Sequence, residues 1–109
     1  MEDIKVGDYI RSIHGEIAMV STVLDNRIVT YPYGNIYYRN TIAKHSRSLI
    51  DLIEEGDVVE YYISGVVRIG KVKKYNEGLG IGFYKLEQIG IKKILTCEQF
   101  ENDCYEVGD

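Results

Sequence analysis

Tyr31, Tyr33, Tyr37 and Tyr38 stand within a few positions of Arg39, Lys44, His45 and Arg47. Aromatic faces stack on nucleobases, while Arg and Lys neutralise phosphate. A compact nucleotide uses both kinds of group at once. The ligand this run fits is therefore a small nucleotide or a short single strand. The same tyrosines also suit half-buried strand positions with wet hydroxyls. On the sequence alone both readings stand.

Other reactive residue types do not assemble into a catalytic set. His14 precedes Gly15 and reads as a turn residue. His45-Ser46 has no acid placed to complete a triad. Glu54-Glu55 reads as a solvated turn. Gly78-Leu79-Gly80-Ile81-Gly82 is a strand with alternating glycine, not a phosphate loop entering a helix. All its bulk, Phe83 included, is expected on one face, with room on the other for a neighbouring backbone or a ligand. Cys97 and Cys104 fit no zinc spacing, and both histidines lie far from them in sequence. The expectation is a protein without enzymatic activity, metal or cofactor, with reduced thiols in a cytoplasmic setting.

The net charge of -4 argues against duplex nucleic acid, whose phosphates call for a basic surface. Acidic residues gather at Glu2, Asp3 and Asp8, at Asp51 to Glu60, and from Glu98 onward. Basic residues gather at Arg39 to Arg47, at Arg68 to Lys74, and at Lys92-Lys93. Mixed charge of this kind also serves solubility. No apolar run approaches the roughly 20 residues of a membrane span, so no membrane contact is expected.

The elements that must carry these groups are mostly strands. Ten Tyr, one Pro and no Trp favour β structure. Turn signals recur at His14-Gly15, Asp25-Asn26, Pro32 to Asn35, Ser64-Gly65 and Asn76 to Gly78. Strands are expected between them, including one long strand from Val66 to Tyr75. Ser46 can cap a short helical turn through Leu49 to Ile53 that plugs a barrel end. Thr96 with Gln99 fits a capping box opening a two-turn helix with Phe100 on its buried side. A closing strand is expected from Tyr105 to Val107.

The chain also repeats itself. Val6-Gly7-Asp8-Tyr9-Ile10 returns as Glu55-Gly56-Asp57-Val58-Val59, Gly15-Glu16-Ile17 as Gly65-Val66-Val67, and Ile42-Ala43-Lys44 as Ile91-Lys92-Lys93. The offset stays near 50 residues, a fixed period of the kind tandem units leave. Gly-Asp turns before apolar strands are common enough to arise without duplication. The expected fold is mainly β: two tandem SH3-like small barrels, 1–55 and 56–109, each ending in a short helix. Units this small bury little apolar surface alone, so a shared core or a homo-oligomer is expected.

At Val6 to Arg11, Lys44-His45-Ser46, Ile50 to Asp57 and Ile94 to Glu101, the chain resembles a group of small proteins of clostridial and related Firmicutes phages and prophages. The likeness spans most of the chain outside Val66 to Lys85. Its motifs are turns, a plug and a cap, and no functional residue carries over with them. It implies a small phage protein acting on host defence. Two modes follow: sequestering a cyclic nucleotide signal at the Tyr31 to Arg47 cluster, or inhibiting a defence protein such as a CRISPR effector through acidic faces around Glu54, Glu55 and Asp57. A structural phage module without ligand is a third.

Overall fold

The computed structural model describes residues 3–103, with side chains through Phe100. The expected closing strand and Cys104 lie outside them. The chain forms two compact units, Met1–Leu52 and Ile53–Asp109, parting just ahead of the boundary expected from sequence. The described residues are mainly β, in three antiparallel sheets, none closed into a barrel.

The first unit holds β1 (Tyr9–Ser12), β2 (Ile17–Val23), β3 (Arg27–Tyr31), β4 (Ile36–Tyr38), a 3-10 turn at Arg39–Thr41, β5 (Ile42–Ser46) and a 3-10 turn at Leu49–Leu52. Its sheet runs β4-β3-β2-β1-β5. Each reversal has a local cause. Gly15 turns β1 into β2 with a positive φ of 82°, while Ser12 Oγ accepts the N–H groups of His14 and Glu16 at 3.2 and 3.1 Å. Leu24 N–H closes the β2–β3 turn on the Arg27 carbonyl at 2.9 Å. Ser46 caps the final turn by accepting the Ser48 N–H at 3.1 Å. Alternation then puts Ile10, Val20 and Ile28 on one face. With Ile4 and Ile42 they form a buried cluster, and Ala18, Val23 and Tyr37 pack against it. Each such burial contributes about 1.5–3 kcal/mol.

The second unit holds β6 (Val58–Ile63), β7 (Val66–Lys71), β8 (Lys73–Tyr75), β9 (Gly78–Ile81), β10 (Tyr84–Lys85), a 3-10 turn at Leu86–Gln88, β11 (Gly90–Leu95) and α1 (Cys97–Asp103). Two sheets form, β11-β6-β7 and β10-β9-β8. The single long strand expected from Val66 to Tyr75 is broken at Val72. Val72 is fully buried, and its N–H and C=O bond Asp57 O and Gly56 N at 2.8 and 2.9 Å. Two further expectations are corrected. The glycine-alternating strand stops at Ile81, because Gly82 takes a φ of +59° and turns Phe83 out to complete exposure (100%). Phe100 is about half exposed, not on a buried helix side. The capping box does form, with Thr96 N–H to Gln99 Oε1 at 3.3 Å and Gln99 N–H to Thr96 Oγ1 at 3.4 Å.

Glycine at position 80 answers to packing by the neighbouring strand. A Cβ there would sit 2.6 Å from the Tyr84 carbonyl oxygen and 3.5 Å from the Tyr75 ring. Gly80→Ala is expected to cost about 1–3 kcal/mol as an overpacked site. At Gly34 (φ +69°) a Cβ would meet nothing within 4 Å, so Gly34→Ala carries only the left-handed backbone penalty of about 1–2 kcal/mol. Urea melts of the two variants, ranked against the parent, check the order.

The two Gly-Asp turns are built alike. Gly7 and Gly56 have φ of +92° and +96°. Asp8 Oδ2 accepts the Lys5 N–H at 3.0 Å, and Asp57 Oδ2 accepts the Glu54 N–H at 2.8 Å. Gly7 N–H and Asp8 O both bond Val20, as Gly56 N–H and Asp57 O both bond Val72. The register downstream also matches: Tyr9–Ser46, Ile10–His45 and Arg11–Lys44 are answered by Val58–Leu95, Val59–Ile94 and Glu60–Lys93. The other contacts of the two carboxylates differ. Asp8 faces the side chains of His45 and Arg47, whereas Asp57 Oδ1 accepts the Cys97 N–H at 2.9 Å.

Candidate functional site

The structure distributes the tyrosine and cation run over several places. Tyr31 ends β3 and Tyr33 lies in the β3–β4 turn, both exposed. Tyr37 and Tyr38 are consecutive on β4 and so point to opposite faces. Tyr37 packs on the core cluster. Tyr38 faces outward, opposite Arg27 on β3, and is 59% exposed. Lys44 and His45 lie on β5, at the other end of the sheet order from β4. His45 Nδ1 and Arg47 Nε stand 3.5 and 3.2 Å from the Asp8 carboxylate. They serve the Gly7-Asp8 turn and do not join the tyrosines. Of the eight, Tyr38 and Arg39 share a cleft, whereas His45 and Arg47 gather at Asp8.

Tyr38 and Arg39 do remain together, at a built corner. Arg39 N–H bonds Asn26 O at 3.0 Å. Its Nε donates to Asp25 O at 2.8 Å, and its Nη2 lies 3.4 Å from Leu24 O. The guanidinium is thereby held flat against the β2–β3 turn, and its rotamer cost is already met in the fold. Thr41 Oγ1 donates to Tyr38 O at 2.7 Å and fixes the 3-10 turn that follows. Two clefts share Asn26 and Tyr38. One of about 440 Å³ adds Arg39 and Asn40. The other, of about 710 Å³, adds Val23 to Asp25 and Arg27. The first thus joins a ring, a cation and two amides, and the second shares that ring and one amide and adds another cation, a set that can stack a base, read its edge and meet a phosphate.

Asn26, Arg27 and Asn40 were missed by reading the chain as a linear cluster. A signal was present: folding β3 and β4 back about Pro32 to Asn35 pairs Arg27 with Tyr38, and the Asp25-Asn26 turn then falls beside Arg39.

Tyr37 has one titratable consequence. Burial, and then the Glu16 carboxylate whose Oε2 accepts its hydroxyl at 3.3 Å, push its phenol above the ordinary value near 10. The contribution to stability is whole below the unfolded value of about 10 and is lost as pH rises through the folded one. In a spectrophotometric alkaline titration, Tyr37→Phe is expected to remove a late-ionising tyrosine, and Glu16→Gln to bring that step to lower pH. A wild-type curve unchanged by either substitution contradicts the assignment.

The acidic face expected to dock a partner is also redistributed. Asp57 is fully buried and used by its own turn. Glu54, Cys97 and Glu98 bring their ligating atoms within 4.8 Å of one another, and Cys97 Sγ donates to Glu98 Oε1 at 3.0 Å. Among the described residues, no helix is long and apolar enough to cross a membrane. Comparison of the chain with protein-family models, with curated proteins and with solved structures finds no match in any of the three.

Proposed function

We propose that this is a non-catalytic, phage-type binding protein that counters host defence by holding a small, cyclic nucleotide signal in the cytoplasm. Its scaffold is two tandem SH3-like copies, a reading supported by the matched Gly-Asp turns and strand registers. The observation that carries the functional reading is the corner at Tyr38. An exposed ring lies opposite Arg27 and next to a pre-held Arg39, with Asn26 and Asn40 lining the cleft that Tyr38 and Arg39 share. The base stacks on Tyr38, the amides meet its polar edge, and Arg27 and Arg39 take the phosphate. Turnover is not required; one molecule held is one signal removed.

Calorimetry against a panel of cyclic mono- and dinucleotides tests this. Binding by at least one of them is expected, weakened about thirtyfold by Tyr38→Ala, in keeping with roughly 1–3 kcal/mol per stacked base. Lys44→Glu is expected to leave affinity within about threefold, since exposed charges away from the ligand act weakly. No heat with any panel member at millimolar concentration rejects the nucleotide reading.

A second reading, inhibition of a defence protein, has one observation in its favour. On β11-β6-β7, cross-strand pairing puts Tyr62 with Val67, Glu60 with Ile69, and Leu95 with Val58 on a single face. Tyr62, Val67, Leu95 and Ile69, the last at 71%, are exposed there. Apolar residues grouped in this way mark protein-contact surfaces. This face, not the Glu54 to Asp57 turn, is where such an inhibitor would make contact.

A further inference from the structure

The corner that holds Tyr38 in the first unit has a counterpart in the second, and its chemistry differs. The β8–β9 turn (Asn76 and Glu77) and the end of β10 (Tyr84 and Lys85) occupy the places that the β2–β3 turn and the end of β4 occupy in the first unit. In both, a cation reaches back to the turn: Arg39 from just past the short strand, Lys85 from its last residue. Arg39 does so through backbone carbonyls. Lys85 Nζ does so through the Glu77 carboxylate at 2.9 Å. A cleft of about 360 Å³ lies here, lined by Tyr75, Phe83, Tyr84, Leu79, Asn76 and the glycines of β9.

Three features of this cleft point to one class of ligand. The first is aromatic area: Tyr75, Phe83 and Tyr84 are all exposed, and Phe83 has no cover at all. A wholly uncovered Phe next to two half-open tyrosines is a surface whose apolar area is removed from water only when something binds. The second is its floor. The Tyr75 ring lies against Gly80, and a Cβ on Gly78 or Gly82 would meet nothing within 4 Å. A flat group can therefore approach backbone closely. The third is charge. The lysine on the cleft stands 2.9 Å from Glu77, so charge at the rim is balanced and does not favour an anion, whereas the Asn76 amide offers both a donor and an acceptor.

We propose that the second unit carries its own binding site, which takes a neutral planar heteroaromatic ring, a nucleobase presented without phosphate contact. The choice of nucleobase rests on the nucleotide reading of the first unit; the existence of the site does not. The protein is then a two-site receptor. One corner is selective for an anionic nucleotide, and the other accepts the ring alone.

Backbone amide spectra of the full ¹⁵N-labelled chain test this, with adenosine, guanosine, cytidine and uridine as probes and N-acetyl-tryptophanamide as a non-nucleoside ring. At least one nucleoside is expected to move the amides of Gly78, Gly80 and Gly82 saturably, and to bind at least tenfold more weakly to Phe83→Ser. Phe83 is completely exposed, so this variant keeps the fold, and its unliganded spectrum verifies that. Tyr38→Ala is expected to leave these shifts unchanged. Unmoved glycine amides at millimolar nucleoside, or equal shifts in wild type and Phe83→Ser, overturn the proposal. Equal or tighter binding of N-acetyl-tryptophanamide overturns the nucleobase assignment. If nucleosides move the Gly78 to Gly82 amides while no nucleotide moves those of Asn26 and Arg39, the first-unit reading falls and this site stands.

Discussion

Asp57→Ala lowers stability by about 3–5 kcal/mol in a urea melt of the full chain, the largest single effect expected anywhere in the molecule. The carboxylate is fully buried and accepts two backbone N–H groups, Glu54 at 2.8 Å and Cys97 at 2.9 Å. Truncation leaves both donors desolvated and unpaired, at about 1–3 kcal/mol each, and hydrogen bonds to a charged acceptor lie at the upper end. It also disconnects the start of α1 from the Gly56 turn. Asp57→Asn keeps one oxygen and turns an amide N–H₂ toward the other donor, so about half of the loss is expected to remain. Asp8→Ala is the informative comparison. It loses one backbone N–H bond and the contacts of His45 and Arg47. Arg47 is largely exposed and its pairing is screened. The expected cost is about 1–2 kcal/mol. A finding that Asp8→Ala costs as much as Asp57→Ala would show that the side-chain anchor equals the backbone one.

Arg11→Ala comes second, at about 3 kcal/mol. Arg11 is 1% exposed although it stands in the middle of β1, and its Nη1 donates to Leu52 O at 2.9 Å. Leu52 belongs to the 3-10 turn that ends the first unit and is itself fully buried. The substitution removes a long packed stem and leaves that carbonyl without this donor. Arg11→Met restores the stem and not the bond, and is expected to recover about half of the loss. Thermal melts of the three proteins at one concentration measure it. An Arg11→Ala variant as stable as wild type would mean that the cost of burying the guanidinium cancels what its packing and bonding contribute.

Much of this fold can be read from residue types alone. Gly7-Asp8 and Gly56-Asp57 need a positive φ followed by a short acceptor, and few residue pairs meet both demands. The hairpins at Gly15 and Ser64-Gly65, the Ser46 cap and the Thr96–Gln99 box are local in the same sense: cause and effect lie within five residues. Where the reading fails, the cause is distant in sequence. Val72 looks like any β-branched strand residue until Gly56 and Asp57 claim its backbone. Arg11 has the pattern of a solvent-facing strand residue, and only the return of Leu52 makes it a core one. The tyrosine cluster is the instructive case. Tyr31, Tyr37 and Tyr38 are neighbours in sequence, but strand alternation sends Tyr37 inward and pairing brings Arg27 to Tyr38 in its place. Proximity along a strand is a poor guide to proximity in space, because a shift of one residue changes the face.

The unequal anchoring of the two Gly-Asp turns sets how each answers to solution conditions. Salt reaches the exposed Arg47, so part of the clasp on the first turn is screened as ionic strength rises. The second is held through the buried backbone amides of Glu54 and Cys97, which salt screens far less. Two bends built alike thus differ in how they answer to ionic strength.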